Sequence, residues 1–170
     1  MAIHDATPIE NRIISVLVEN RSGVLSHVVG LFSARGFNIA SLAVGETEDP
    51  TMSRITLVAE GDQKTLEQIK KQLNKLIDVI KVQDLTEEGC IDRELMLVKV
   101  KNTPKTLETV ELLKKDYRLI VVDENPKFLT LECTERRDNR KKLFDAFKEI
   151  GIAEIAQTGA VALSVKPPKD

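Results

Sequence analysis

Few residues in this 170-residue chain fall into patterns that could do chemistry, and the clearest is Asn20-Arg21-Ser22-Gly23 taken together with Asn38 and Ala43. A helix opening just after Gly23 would aim free backbone N–H groups and a positive dipole end into that loop, which suits a carboxylate. Gly23 carries no side chain and permits close approach. Asn20 and Asn38 add neutral amides able to accept from an ammonium or donate to a carboxylate, so the set matches a free amino acid. The same residues also read as an ordinary turn with an asparagine cap, and spacing alone leans toward that.

Other chemistry is sparse. His4 and His27 show neither HxxxH nor HExxH spacing and read as solvated histidines. No GxxxxGK[ST] or GxGxxG loop occurs. Arg21 resembles the arginine with which small ferredoxin-like phosphatases grip phosphate, but the glycine-rich loop that accompanies it there is missing. Carboxylates fall at charge-pair spacing on helix faces. The basic run Arg136, Arg137, Arg140, Lys141 and Lys142 has no interleaved aromatics and reads as a solvated face. We therefore expect neither catalytic residues nor a metal site. Cys90 and Cys133 are too few for a disulfide framework or a four-ligand zinc site, and fit a reducing cytoplasm.

The elements that must position these residues are legible from periodicity. Arg12 to Glu19 alternates, with Ile14, Val16 and Val18 on one face and Ile13, Ser15 and Leu17 on the other, so both faces of this strand expect partial cover. Leu25, Val28, Val29 and Phe32 predict an amphipathic helix stopped by Gly36. Strands follow at Ile39 to Gly45 and Ser53 to Glu60, around a turn at Glu46 to Thr51. Asp62 predicts the N-cap of a helix with the stripe Leu66, Ile69, Leu73 and Leu76, and Val79 to Leu85 closes the unit as a strand. The order βαββαβ is that of a ferredoxin-like sandwich.

After Thr86-Glu87-Glu88-Gly89 the rhythm restarts. Glu94 to Lys101 reads as a strand, Thr103-Pro104 as an N-cap and N1 pair, and Leu107, Val110, Leu113 and Tyr117 as the helix stripe. Strands at Leu119 to Asp123 and Lys127 to Cys133 flank an Asn125-Pro126 turn. Leu143, Phe144, Phe147 and Ile150 mark a helix ending at Gly151, and short strands at Ile152 to Ala156 and Val161 to Val165 complete the second half. The expected fold class is α+β, two tandem ferredoxin-like βαββαβ domains, dividing into 1–88 (core 12–86) and 89–170.

Composition is that of a globular protein, with 42% hydrophobic and 31% charged residues. A net charge of −2 argues against nucleic acid or an anionic membrane as partner. No apolar run approaches the roughly 18 residues of a membrane span, and Met1 to Asn11 lacks the marks of a signal peptide.

Three longer segments sharpen the reading. Glu19 to Leu25, Gly30 to Ile39 and Ser41-Leu42 closely resemble the ACT domain of the regulatory, or small, subunit of acetolactate synthase (acetohydroxyacid synthase). The resemblance continues through Asp49 to Arg54, Leu66 to Ile69, Lys71 to Leu73 and Arg93 to Lys99, thins beyond residue 100, and returns around Phe144 and in Thr158 to Ser164. It implies a first domain of ACT type in a subunit that is not itself an enzyme. Such a subunit activates a large catalytic subunit carrying thiamine diphosphate, FAD and magnesium, needs no cofactor of its own, and confers feedback inhibition by valine in branched-chain amino acid biosynthesis.

The resemblance also implies side-by-side pairing of ACT domains into a homodimer or higher assembly, which would account for the apolar second face of the first strand, with the effector at the interface. By position, Asn20, Gly23, Val24, Ser26, Asn38, Ile39, Leu42, Ala43 and Gly45 would form that site. Ala43 stands where the family pattern leads us to expect a hydroxyl residue, His27 where arginine is common, and Gln157 where arginine is expected, so effector choice stays open among valine, leucine and isoleucine. Two readings of other classes compete: an amino-acid-sensing transcription regulator, for which the chain has no spare DNA-reading helix pair, and a small acylphosphatase-like hydrolase.

Overall fold

The computed structural model describes residues 10–167. In the first half, β1 (Glu10–Glu19), α1 (Val24–Ala34), β2 (Asn38–Glu46), β3 (Met52–Gly61), α2 (Gln63–Leu73) and β4 (Val79–Asp84) follow one another, then a single turn of helix, α3 (Leu85–Glu88). Their four strands form one sheet in the order β2-β3-β1-β4, with every neighbour antiparallel. The second half repeats the plan with β5 (Cys90–Lys101), α4 (Pro104–Leu113), β6 (Leu119–Glu124), β7 (Phe128–Glu135), α5 (Arg137–Ile150) and β8 (Ile152–Gln157), in the sheet order β6-β7-β5-β8, while the added strand β9 (Val161–Ser164) pairs with β5. This is the ferredoxin-like order twice over.

Two compact units result. One comprises the described residues up to Ile91 together with those from Ala162 onward, and the other is Asp92–Val161. The division read at Glu88 treats the second half as contiguous and does not anticipate the return of the chain end. In the returning segment, the Val165 N–H donates to the Gly89 carbonyl at 3.1 Å and the Ser164 hydroxyl to Glu88 at 3.3 Å.

The first core is built from alternate residues of β1 (Ile14, Val16, Val18) and β3 (Ile55, Leu57, Ala59) against α1 and α2. The α1 stripe is Val24, Val28, Leu31 and Phe32, at i, i+4, i+7 and i+8. Leu25, expected in that stripe, is 41% exposed, and Val24, the first residue of the helix, takes the inward position. The opposite face of β1 is covered as expected, since Ser15, Thr56 and Val58 are buried and Leu17, Arg54, Lys81 and Gln83 share a cleft of about 440 Å³ with Leu163 and Pro167 of the returning segment. β1 is therefore a central strand with both edges paired, and side-by-side pairing of domains cannot be what its second apolar face serves.

In the second core, Met96, Val98 and Val100 of β5 and Leu129, Leu131 and Cys133 of β7 meet Val110, Leu143, Phe147 and Ile150. Here Leu107 is 43% exposed and Thr106 is buried in its stead. The reason is the cap: the Thr103 hydroxyl accepts the Thr106 N–H at 3.1 Å and lies 2.9 Å from the Thr106 hydroxyl, so Thr106 can be buried with its polar atoms satisfied. Strand β4 stops at Asp84 instead of Leu85, because the Asp84 carboxylate accepts the Thr86 and Glu87 N–H groups and starts α3 with Leu85 buried. Strand β5 starts four residues before Glu94, directly after Gly89, whose φ of +80° only glycine adopts readily.

Candidate functional site

The loop from β1 to α1 is tied down residue by residue. The Glu19 N–H donates to the Asp78 carbonyl at 3.0 Å and the Asn20 N–H to the Thr51 carbonyl at 2.7 Å. The Asn20 side-chain amide donates to Glu46 Oε1 at 3.1 Å and to the Pro50 carbonyl at 2.9 Å. Gly23 then turns into the helix with φ +90°, a left-handed conformation that strains any L side chain, and a Cβ built there would meet nothing within 4 Å. Glycine at this point thus serves both the turn and an open approach to the helix end.

What that end offers is decided by its capping. No side chain caps α1, and its first turn holds no acidic residue. The other helices differ: Asp62 accepts the Thr65 N–H of α2, Asp84 caps α3, Thr103 caps α4, and Asp92 Oδ2 accepts the Arg137 N–H of α5 at 2.9 Å. α1 therefore keeps amide donors and a partial positive charge facing outward beside Gly23, with Val24 buried beneath and Ser26 exposed.

Behind this loop lies Asp78, only 7% exposed. Its carboxylate holds Arg21 Nη2 at 2.6 Å and His27 Nδ1 at 3.1 Å, while Arg21 also reaches Glu19 at 2.5 Å. Hydrogen bonds from His27 and then Arg21 hold the Asp78 carboxyl below its ordinary value, against the opposing effect of burial. Two sequence readings are corrected here. His27 is exposed but is not merely solvated, since one ring nitrogen sits on Asp78. Arg21 is committed to two carboxylates rather than presented for gripping phosphate, which removes the feature behind the hydrolase reading. Asp78 itself escaped sequence reasoning, because nothing local marks a residue 57 positions from Arg21 as its partner.

Strand β2, an edge of the sheet, carries the remaining candidates. β1 and β2 both run antiparallel to β3, so they are parallel to each other, and the start of β2 lies at the opposite end of the sheet from Asn20. Eight residues at a rise of about 3.3 Å put roughly 26 Å between Asn38 and Glu46, the latter bonded to Asn20. The single corner read from the sequence is thus two places in one chain. Asn20, Gly23, Val24 and Ser26 gather at one end with Gly45 close by, and Asn38 and Ile39 sit at the other. The parallel run of the first two strands in βαβ order was the available signal for this separation.

At that second end the Asn38 amide donates to Glu60 on the face turned away from the helices. Ile39 and Leu42 face the helices, partly buried against the core, and a bulge separates Ile39 from Ser41. Ala43 is half-buried, and the Ser41 hydroxyl is buried without a hydrogen-bond partner.

The second unit uses its charges for structure. Glu94, 2% exposed, accepts from Arg140 at 3.1 Å and lies 3.9 Å from Arg137, and Asp92 lies 3.8 Å from Arg136. The basic run is therefore not a solvated face at Arg137 and Arg140, while Arg136 stays exposed. Burial, aided by the Glu135 charge, pushes the Cys133 thiol up to about 12, so it remains a neutral core side chain. Among the described residues no cluster of His, Cys, Asp and Glu could hold a metal ion, and no helix is long and apolar enough to cross a membrane. The helices of both units pack one face on their sheets, so none of them forms a separate pair for reading DNA.

The comparisons with known proteins agree with this architecture. Residues 14–81 match the family model described as AHAS small subunit-like ACT domain, and residues 93–166 match the one described as small subunit of acetolactate synthase. The chain is 46% identical to the acetolactate synthase small subunit of Haemophilus influenzae over 90% of this chain and 94% of that one. It is 42% identical to the acetolactate synthase isozyme 3 small subunit of Escherichia coli over the same shares. The crystal structure of the acetolactate synthase small subunit from Thermotoga maritima, 35% identical, superposes with a TM-score of 0.81 over 94% of this chain and 100% of that one. With both halves of one family present in order on a duplicated ferredoxin-like fold, the chain belongs to the acetolactate synthase small subunits.

Proposed function

We propose that the chain is the non-catalytic regulatory subunit of an acetolactate synthase, raising the turnover of a separate large subunit and conferring feedback inhibition by valine or another branched-chain amino acid. In this reading thiamine diphosphate, FAD and magnesium reside on the large subunit in the cytoplasm, and this chain supplies no catalytic group. The observation that carries the effector role is the open N-terminus of α1 beside Gly23, with no side-chain acceptor in its first turn. It suits the effector's carboxylate.

A second copy completes the site. If two β2 edges pair antiparallel, the Asn38–Ile39 end of one copy comes beside the Asn20–Gly23 end of the other, because antiparallel pairing sets each strand's start against its partner's finish. The carboxylate then meets α1 of one copy. The ammonium meets the start of β2 in the other copy, and Ile39 and Leu42, on the helix side of the sheet, bound the aliphatic side chain, while Ala43 faces the opposite side with Thr56. The edge strand is covered in the same step, and the apolar Val44, 47% exposed, gains a partner.

The test is to co-purify the chain with the candidate large subunit and assay acetolactate formation with and without each branched-chain amino acid. The chain alone forms no acetolactate, and adding it raises the turnover of the large subunit. One amino acid then lowers that turnover. Acetolactate formation by the isolated chain, or no change on adding it, overturns the reading.

A further inference from the structure

The second unit carries a cleft that the effector reading does not use. It has a volume of about 390 Å³ and is walled by the turn after α4, the start of β5 and the end of β7. Arg93, Lys114, Lys115, Arg118 and Arg136 converge on it from three separate stretches of chain, against Asp116 and Glu135. Lys114, Lys115 and Arg118 are exposed neighbours in one turn, and the fold brings Arg93 and Arg136 to them from two other stretches.

Among the residues lining the cleft the cations outnumber the two carboxylates, although some of them also meet carboxylates outside it. Lys114 is paired with Glu111 at 2.6 Å, and Arg136 lies at 3.8 Å from Asp92 and 4.0 Å from Asp138. Glu135 accepts the Arg118 backbone N–H at 3.2 Å and the Asn139 amide at 3.1 Å, both neutral donors, so its negative charge stays beside the cleft. Arg93 donates to the Asp92 carbonyl at 2.6 Å, and among the described residues the side chains of Arg93, Lys115 and Arg118 form no ion pair within 4.0 Å. Like charges facing one concave space repel one another, and the concavity focuses their field on whatever enters. Tyr117 and Thr134 line the same space.

We propose that this cleft binds a small polyanion carrying two or more negative charges, a phosphate ester or a polycarboxylate, with Arg93 and Arg118 as its principal contacts. Guanidinium groups suit both chemistries, since each presents paired oxygens to a planar fork of donors. The volume lies within the usual range for small-molecule sites.

Calorimetric titration of the full chain with pyrophosphate and with citrate, each at constant ionic strength, tests this and separates the two sources. Saturable one-to-one binding of one probe is expected. Arg118→Ser and Arg93→Ser should each weaken it at least tenfold, with circular dichroism unchanged. Lys141→Ser, exposed on α5 outside the cleft, should not weaken it. Heat that sodium chloride reproduces, or binding unaltered by both arginine substitutions, overturns the proposal. So does failure of both probes to bind while the arginine variants lose association with the large subunit, which would make the cleft a protein-docking surface. Inhibition by the branched-chain effector is read separately, so either proposal can fail alone.

Discussion

The two halves of this molecule repeat one fold and treat the same corner in opposite ways. In the second unit the first helix is closed: Thr103 caps α4 and Pro104 occupies its first position, where no N–H is needed. In the first unit the equivalent helix, α1, opens on a left-handed glycine, has no side-chain cap, and is preceded by a loop fastened from behind by Asp78. Duplicated topology therefore does not imply duplicated function. The difference lies in a few residues at one turn: the closed corner satisfies its own amides, while the open one leaves them for something else. The left-handed turn and the pinning at the open corner are accommodated because the sheet and its core are built independently of it.

Closing the open corner should have the largest effect. Gly23→Asp places a carboxylate where the effector's own would sit and forces an aspartate toward φ +90°. One misplaced charge at close range costs several kcal/mol, so effector affinity should fall on the order of a hundredfold or more. Activation of the large subunit should persist. Calorimetry with valine, beside an assay of the complex, reads both.

Loosening the pin is the next effect. Asp78→Ala removes the partner of both Arg21 and His27, whose largely exposed side chains then turn to solvent, so the loop loosens and effector affinity should fall by less than in Gly23→Asp. The pH dependence has a defined sign. A carboxyl whose folded pKa is depressed contributes stability above its unfolded value, 3.8, and that contribution is lost as pH falls through the folded value. The wild type and Asp78→Ala should therefore differ in denaturant stability near neutral pH and converge in strong acid. Equal affinities and parallel acid curves would show that the pin is idle.

Unlocking the closed corner should have the smallest functional effect. Thr103→Ala should lower the stability of the second unit by about 1 kcal/mol, read by urea unfolding, and leave the response to valine unchanged. A changed response would mean that the two corners are coupled.

How much of this was legible depended on the range of the interaction. The Thr103-Pro104 and Asp62 helix starts are local signals, and both are found where the sequence put them. Gly23 was legible as a loop glycine, though its positive φ is seen only in the fold. The buried stripes slipped by one residue at Leu25 and Leu107, because the first inward position of a helix is set by where its cap falls, not by hydrophobicity alone. Asp78 with Arg21, and Glu94 with Arg140, join residues 57 and 46 positions apart, a distance at which pattern carries no information. Asn38 and Asn20 share a residue type but not an end of the sheet, and strand direction, not residue type, separates them.

The central claim is that the effector site is shared between copies, and mixing two broken subunits tests it most directly. Gly23→Asp spoils the carboxylate end and Asn38→Lys the ammonium end, so each variant alone should lose inhibition while still activating the large subunit. In a one-to-one mixture re-equilibrated as dimers, half of the dimers contain one of each variant. Each of these rebuilds one intact site, returning about one quarter of all sites and a measurable part of the valine inhibition. A mixture as unresponsive as its components, with exchange of subunits verified, would contradict the shared site.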